Sequence, residues 1–416
     1  MESAASERLP SAVAPGAAFR LSAAASVVAV ALVVVSATLE LGTAHWGLAL
    51  LALPFLVADV VLARVAYAAL LRRAVAALAV FLGAIALGGV VAWTGDATWA
   101  AALHVGAAAV AFGLALLVLA GAGRGAPAPL ASLRDYLTLT KPRIMTLLLL
   151  TGAGGMFVGA QGVPPLGLLA VTMLGLALAC GGASALNHLL DRDIDALMGS
   201  RTEQRPVAAG RVTPEQALEF GILLSATSFA LLASAVNVLT AVLALVGNLF
   251  YVLVYTRWLK RTTPQNIVIG GAAGAVPPLV GWAAATGDLT LPALALFAIV
   301  FFWTPPHFWA LALLIKRDYQ AAGIPMLPVV RGERETVRQI LLYTLVLIVV
   351  TLMPVAFGMF GALYLVAAVA LGAAFLWLAW RLSRELVPAR AAVLFHYSLA
   401  YLALLFVAMA VDPLIA

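Results

Sequence analysis

The chain reads as an all-α polytopic membrane protein, a nine-helix intramembrane bundle preceded by a four-helix transmembrane unit. Three observations predict this. Of 416 residues, 64% are hydrophobic and only 10% charged, whereas soluble domains carry about 25% charged residues. Mean hydropathy is +1.08. Thirteen apolar runs approach the length of about 20 residues that crosses a bilayer, and the basic residues fall on one side of them.

The elements follow in order. Residues 1–17 are rich in Ala, Pro and Ser, lack a typical signal-peptide cleavage pattern and read as a short disordered tail. A four-helix unit over residues 18–123 holds runs at about 20–41, 46–69, 74–94 and 100–121. The stretch from Gly121 to Pro129 alternates Gly, Ala and Pro, so residues 124–132 read as a linker. The bundle over 133–416 holds runs at about 144–160, 165–186, 213–234, 237–256, 265–284, 291–314, 337–357, 360–380 and 392–411. A helix satisfies its own backbone hydrogen bonds, which is what lets such runs sit in lipid.

The net charge of +6 could suggest nucleic acid, but the basic residues lie in loops and not in one patch. With the N-terminus cytoplasmic, 21 of the 24 Lys and Arg fall on cytoplasmic segments, and Arg8, Arg20 and Arg64 lie on the tail or near cytoplasmic helix ends. The opposite loops, around 42–45, 95–99, 161–164, 235–236, 285–290 and 358–359, hold none. This asymmetry predicts a multi-pass protein with its longer polar loops inside and its C-terminus outside, and with no transit-type presequence evident the plasma membrane is expected over an organelle's inner membrane. It also checks the helix count, because one missed span would invert every later loop. The single cysteine, Cys180, lies in an apolar run and reads as a packed side chain, with neither disulfide nor thiolate metal site available to it.

Two cytoplasmic loops are long and polar, 187–212 and 315–336. In the first, Asn187, Asp191 and Asp195 are four apart and share a face if the helix continues. Oxygen ligands crowded at a membrane boundary call for a cation, and Mg²⁺ is commonly held by one or two carboxylates plus substrate phosphates. Arg201, Arg205 and Arg211 follow and can neutralise phosphate oxygens. Acids, metal and arginines together suggest a diphosphate site; the alternative is an ordinary solvated loop. His188 reads as a stray solvated histidine.

The stretch from Asn187 to Val212, NHLLDRDIDALMGSRTEQRPVAAGRV, resembles the first aspartate-rich motif of the UbiA-type intramembrane prenyltransferases. Its DRDID core and R-x-x-x-RP-x-x-x-GR ending are similar to the haem O synthase branch. Tyr136 to Arg143, Lys260 to Asn266 with the IVIGGAAGAVPPLVGW that follows, WTPPHFW beginning at Trp303 and AGIPMLP ending at Pro328 are also similar to that branch, and the resemblance covers about residues 133–414. The family at large has a second D-x-x-x-D motif; here Asp318 is followed four residues later by Ala322.

The resemblance implies transfer of a farnesyl group from farnesyl diphosphate to a vinyl group of haem B, giving haem O. It implies Mg²⁺ as cofactor, with Asn187, Asp191, Asp195 and Asp318 as metal or diphosphate ligands. Lys141, Arg192, Arg201, Arg205, Lys260 and Arg261 are the candidate phosphate contacts. His307 follows Pro305-Pro306 inside a span and is a candidate iron ligand or proton carrier, since an ionisable group in a membrane segment usually has a function. Tyr255 and Trp303 could shield a carbocation with their ring faces; both could equally be packing residues. The runs beginning at His45 and at Leu103-His104 are similar to one half of a haem A synthase domain, which makes these two histidines candidate haem ligands and a haem A synthase a candidate partner. The competing readings are prenylation of a quinone or other aromatic acceptor, against which WTPPHFW and AGIPMLP speak, and a haem-binding transporter or scaffold.

Overall fold

The computed structural model describes residues 17–38, 43–94, 98–121 and 131–415. The expected tail lies outside these residues except for Ala17, and the expected linker except for its last two residues. Among the described residues thirteen long helices form: α1 (Ala17–Thr38), α2 (Thr43–Ala66), α3 (Ala68–Thr94), α4 (Thr98–Gly121), α5 (Pro142–Ala160), α6 (Leu166–Leu190), α7 (Pro214–Ala235), α8 (Val238–Thr262), α9 (Asn266–Thr286), α10 (Leu291–Leu314), α11 (Glu333–Ala356), α12 (Ala362–Arg384) and α13 (Pro388–Ile415). Twelve are long and apolar enough to cross a membrane; within α4 the apolar stretch is the shorter His104–Leu119. The chain is a multi-pass membrane protein.

The chain divides into two compact units, Met1–Leu130 and Ala131–Ala416. In the first, α1 packs on α2 and α4, and α3 on α2 and α4, around Val30, Val33, Leu56 and Phe81. A buried acid pins α1 to α2: Ser22 and Ser26 donate to the two carboxylate oxygens of Asp59 at 2.6 and 2.7 Å. The turn between α2 and α3 is the single residue Tyr67, so Arg72 and Arg73 sit within α3 and not in a loop.

In the second unit, successive helices pack as neighbours from α6 to α13, and α13 returns to α5, closing the bundle. Start signals agree with the sequence. Pro142 opens α5, and Thr213 and Gln216 form a reciprocal capping box at α7. Helix α8 is not uniform: Phe250–Leu259 winds as a π-helix between α-helical ends, a form found frequently at functional sites.

The tightest seam joins α5 to α9. A Cβ on Gly281 would stand 1.8 Å from the Gly152 carbonyl oxygen, and one on Gly155 would stand 2.3 Å from that of Pro278. Small residues let membrane helices meet backbone to backbone. Gly281→Ala is therefore expected to destabilise the bundle by about 1–3 kcal/mol, seen as a lowered melting temperature in detergent. Gly274→Ala, where nothing lies within 4 Å of the added carbon, is expected to melt with the parent.

Candidate functional site

The site grows from the end of α6. Its helical hydrogen bonding runs on past Leu190: Asp191 N–H donates to the Asn187 carbonyl at 2.9 Å, and Asp195 N–H to that of Asp191 at 2.7 Å. The four-residue spacing therefore does place Asn187, Asp191 and Asp195 on one face. All three are buried, Asp191 completely and Asp195 to 1% exposure. Buried carboxylates need partners, and three other elements supply them.

Lys260, at the end of α8 and itself 8% exposed, donates to Asp191 Oδ2 at 2.6 Å. Asn187 Nδ2 donates to the same oxygen at 2.8 Å and to the Thr256 hydroxyl at 3.1 Å. Lys141, just before α5, donates to Asn187 Oδ1 at 2.6 Å. Arg205 donates to Asp195 Oδ1 at 2.6 Å. Arg261 grips exposed Asp193 with two bonds of 2.8 Å and stands 3.9 Å from Asp191 Oδ1. That fork pulls the Asp193 carboxyl down to about 2.

Burial raises the Asp195 carboxyl above its ordinary range, against the pull of Arg205. Burial, with Arg205 and Lys260 nearby, draws the Lys141 ammonium down to about 7. Lys141 also holds a left-handed backbone, φ 50° and ψ 59°, immediately before Pro142. For a residue with a Cβ this costs about 1–3 kcal/mol, and such strain clusters at functional sites. A cluster this rich in fixed cations is built to receive an anion.

Among the described residues two carboxylate oxygens of the cluster have no hydrogen-bond partner, Asp191 Oδ1 and Asp195 Oδ2, both buried. They suit a hard divalent cation such as Mg²⁺. Among the described residues no three of His, Cys, Asp and Glu gather into a metal-holding group, so such an ion would need further ligands from a bound molecule, as phosphates provide. Asp318 lies in the short helix Lys316–Ala321 and is half-buried. Its carboxylate has no hydrogen-bond or ion-pair partner among the described residues, and neighbouring Tyr319 feels Arg205, Asp191 and Asp318 together. Arg192 turns to the exposed surface and bonds the Leu189 carbonyl at 2.9 Å, apart from the cluster. The Arg201 side chain lies outside the described residues.

His188 is not solvated. Because α6 continues to Leu190, position 188 faces inward; the ring is 2% exposed and neither nitrogen has a hydrogen-bond partner. Thr256 carried no sequence signal, since the π-helix that turns it toward Asn187 has none.

Beside the cluster opens an apolar cavity of about 480 Å³. Lys141 and Arg143 line it, as do Tyr251 and Tyr255, Trp303, His307 and Phe395. Tyr251 and Tyr255 stack at 5.5 Å, and a Cβ on Gly270 would strike the Tyr255 ring at 2.3 Å, so α9 leaves room for that ring. The expected residues thus divide into a polar cluster (Lys141, Asn187, Asp191, Asp195, Arg205, Lys260, Arg261) and an adjoining apolar chamber that includes His307. His45 and His104 belong to the first unit, their rings 5.5 Å apart and nearly perpendicular.

The comparisons with known proteins point the same way. The model of the UbiA prenyltransferase family matches residues 148–408. The protoheme IX farnesyltransferase of Symbiobacterium thermophilum is 58% identical over 281 residues, 67% of this chain and 94% of that protein. That of Gloeobacter violaceus is 55% identical over 302 residues, 71% of this chain and 97% of that protein. A solved UbiA homologue from Archaeoglobus fulgidus, bound to GPP and Mg²⁺, shares the fold with a TM-score of 0.51 at 19% identity, over 66% of this chain and 99% of that one.

Removing one partner of a buried ion pair costs about 3–5 kcal/mol, because the other charge is left uncompensated. Lys260→Met is expected to lose about that much stability in metal-free buffer. Adding Asp191→Asn should recover most of it, measured as melting temperatures of the two single variants and the double variant.

Proposed function

This chain belongs to the UbiA prenyltransferase family, and from that premise we infer that it transfers the farnesyl group of farnesyl diphosphate to a vinyl group of haem B, giving haem O. The observation that carries the reading is the pair of orphaned carboxylate oxygens on Asp191 and Asp195, ringed by Lys141, Arg205 and Lys260 beside an apolar cavity. A charged head and a hydrocarbon tail are what such a border would sort. The 52–58% identity to protoheme IX farnesyltransferases supports haem as acceptor over a quinone.

Asn187, Asp191 and Asp195 are the residues that would hold Mg²⁺ with the diphosphate, and Asp318 would join from the second loop. Bound there, Mg²⁺ supplies Lewis-acid stabilisation of the departing diphosphate. Lys141, Arg205, Lys260 and Arg261 face the charge that develops as the allylic C–O bond breaks, already oriented by their present partners. Arg192, turned to the surface, is expected to contribute less, and Arg201 remains a candidate phosphate contact. The stacked Tyr251 and Tyr255 present ring faces to the cation left on the farnesyl carbon. The apolar chamber keeps water from it until the vinyl carbon bonds; one water then adds to the cation left on the porphyrin side chain and loses a proton, giving the hydroxyl of haem O, with diphosphate as the other product. His307 stands on the acceptor side. With the N-terminus in the cytoplasm of a plasma-membrane protein, the site opens inward, where a soluble diphosphate head is available.

The first unit is read as a haem-binding module that a haem A synthase would serve or extend. Ser36 gives its one hydroxyl proton to the Val33 carbonyl, so the His45 Nδ1–H donates to Ser36 at 3.0 Å. The His104 Nδ1–H donates to the Ala84 carbonyl at 2.6 Å. Both Nε2 atoms keep their lone pairs, as iron ligation from two sides requires.

Two measurements test this. Membranes given haem B and farnesyl diphosphate should yield haem O by mass; product with an aromatic acid in place of haem would favour the quinone reading. Asp191→Asn should slow turnover by about 10²–10³-fold, the scale of losing one preorganised charge contact, in a protein that still folds. Separately, the purified chain should show a bis-imidazole haem spectrum that His104→Ala removes while haem O formation continues.

A further inference from the structure

The acceptor side of the cavity contains a hydrogen-bond chain that defines one nitrogen of His307. On α13, Ser398 is fully buried, and its hydroxyl donates to the Phe395 carbonyl at 2.6 Å. A hydroxyl has one proton, and this bond uses it. His307 Nδ1 lies 2.6 Å from the same oxygen, so there the imidazole must be the donor. Nδ1 therefore carries the ring proton, and Nε2 keeps its lone pair. Among the described residues no group bonds Nε2, and it is not among the buried atoms left without a partner; the residue lines the cavity, so Nε2 opens into it.

The ring is also held in its plane. Trp303 stacks on one neighbour face at 4.2 Å and 15°, and Phe395 packs at 4.9 Å and 24°. The Trp303 indole N–H donates to the Ser398 backbone carbonyl at 2.8 Å. One serine thus anchors the tryptophan by its main chain and the histidine by its side chain. Along α10, His307 lies seven residues before Leu314, or about 10 Å from the helix end at 1.5 Å per residue.

From this geometry we infer that His307 ligates the iron of the haem substrate through Nε2, and that Ser398 is the positioning residue that fixes the tautomer and ring plane. The inference rests on the reading of haem B as acceptor. The two chemistries open to a histidine differ in what they need. A proton carrier becomes an imidazolium and wants a carboxylate at its other nitrogen, as in catalytic triads. His307 has a neutral hydroxyl there, and no acid touches it among the described residues. An iron ligand needs a neutral imidazole, one lone pair, and an oriented ring whose second nitrogen is bonded. That is the arrangement present. Ligation at this depth would hold the porphyrin in the apolar chamber while the diphosphate stays at the polar cluster.

The test is a haem B titration of the full chain carrying both His45→Ala and His104→Ala, so that the N-terminal pair adds no ligation, followed by Soret absorbance and by haem O formation. The parent should show an imidazole-ligated spectrum. His307→Ala should lose it, and free imidazole should restore it. Ser398→Ala deletes the hydroxyl but keeps the backbone carbonyl that Trp303 needs. It should weaken haem binding about tenfold, the low end for loss of a ligand's hydrogen-bond partner, with an altered Soret band, and Ser398→Thr should restore both. If His307→Ala does not fold, the Ser398 pair still decides. An unchanged spectrum in His307→Ala, with haem O still forming, overturns ligation and leaves farnesyl transfer intact. Ser398→Ala that binds and absorbs like the parent overturns the positioning role. A ligated spectrum in a parent that makes no haem O would uphold ligation and sink the transfer reading.

Discussion

A carboxylate removed from water at a membrane boundary must be met by charge, and the architecture of the second unit is arranged around that demand. Asp191 is completely buried, and what makes this tolerable is an ammonium from the end of α8 and an amide from its own helix, both on a single oxygen. The partners come from chain positions 69 and 4 residues away, so the site exists only once α6 and α8 have docked. Lys141 then reaches the amide from a third direction. Among the described residues two carboxylate oxygens of the cluster are left without a hydrogen bond: the fold satisfies most of the need and leaves the remainder to a ligand.

The chamber beside this cluster follows a different rule. Most of its lining is apolar or aromatic, and two of its polar side chains meet at one serine, His307 at the Ser398 hydroxyl and Trp303 at the Ser398 carbonyl. Aromatic faces do the remaining work of giving shape without adding charge. A polar, charged cluster thus adjoins a mostly apolar chamber, and a molecule with a charged head and a hydrocarbon tail has one orientation that suits both regions.

Much of this was legible in the amino-acid order. Apolar run length and the one-sided placement of Lys and Arg predict the helices, because a bilayer imposes both. The i, i+4 spacing of Asn187, Asp191 and Asp195 holds because the backbone hydrogen bonds continue past the nominal end of α6. That same continuity turns His188 inward, where the sequence reads as placing a solvated histidine. Thr256 could not be read, since a π-helix changes which side chains share a face and leaves no compositional mark. Ser398 could not be read either: it lies 91 positions from His307, and only packing of α13 on α10 brings the two together. Arg192 sits inside the motif yet bonds its own helix on the outer surface, a reminder that adjacency in a motif does not decide direction.

The glycine seam between α5 and α9 carries a consequence for the whole polar cluster. Lys141 stands at the head of α5, and Lys260 lies six residues before α9 begins. With Gly152 and Gly281 in main-chain contact, neither helix can slide along the other without collision. The separation of the two ammonium groups is therefore set by a joint well inside the lipid, far from either lysine, much as the hinge pin of a caliper governs the gap between its tips.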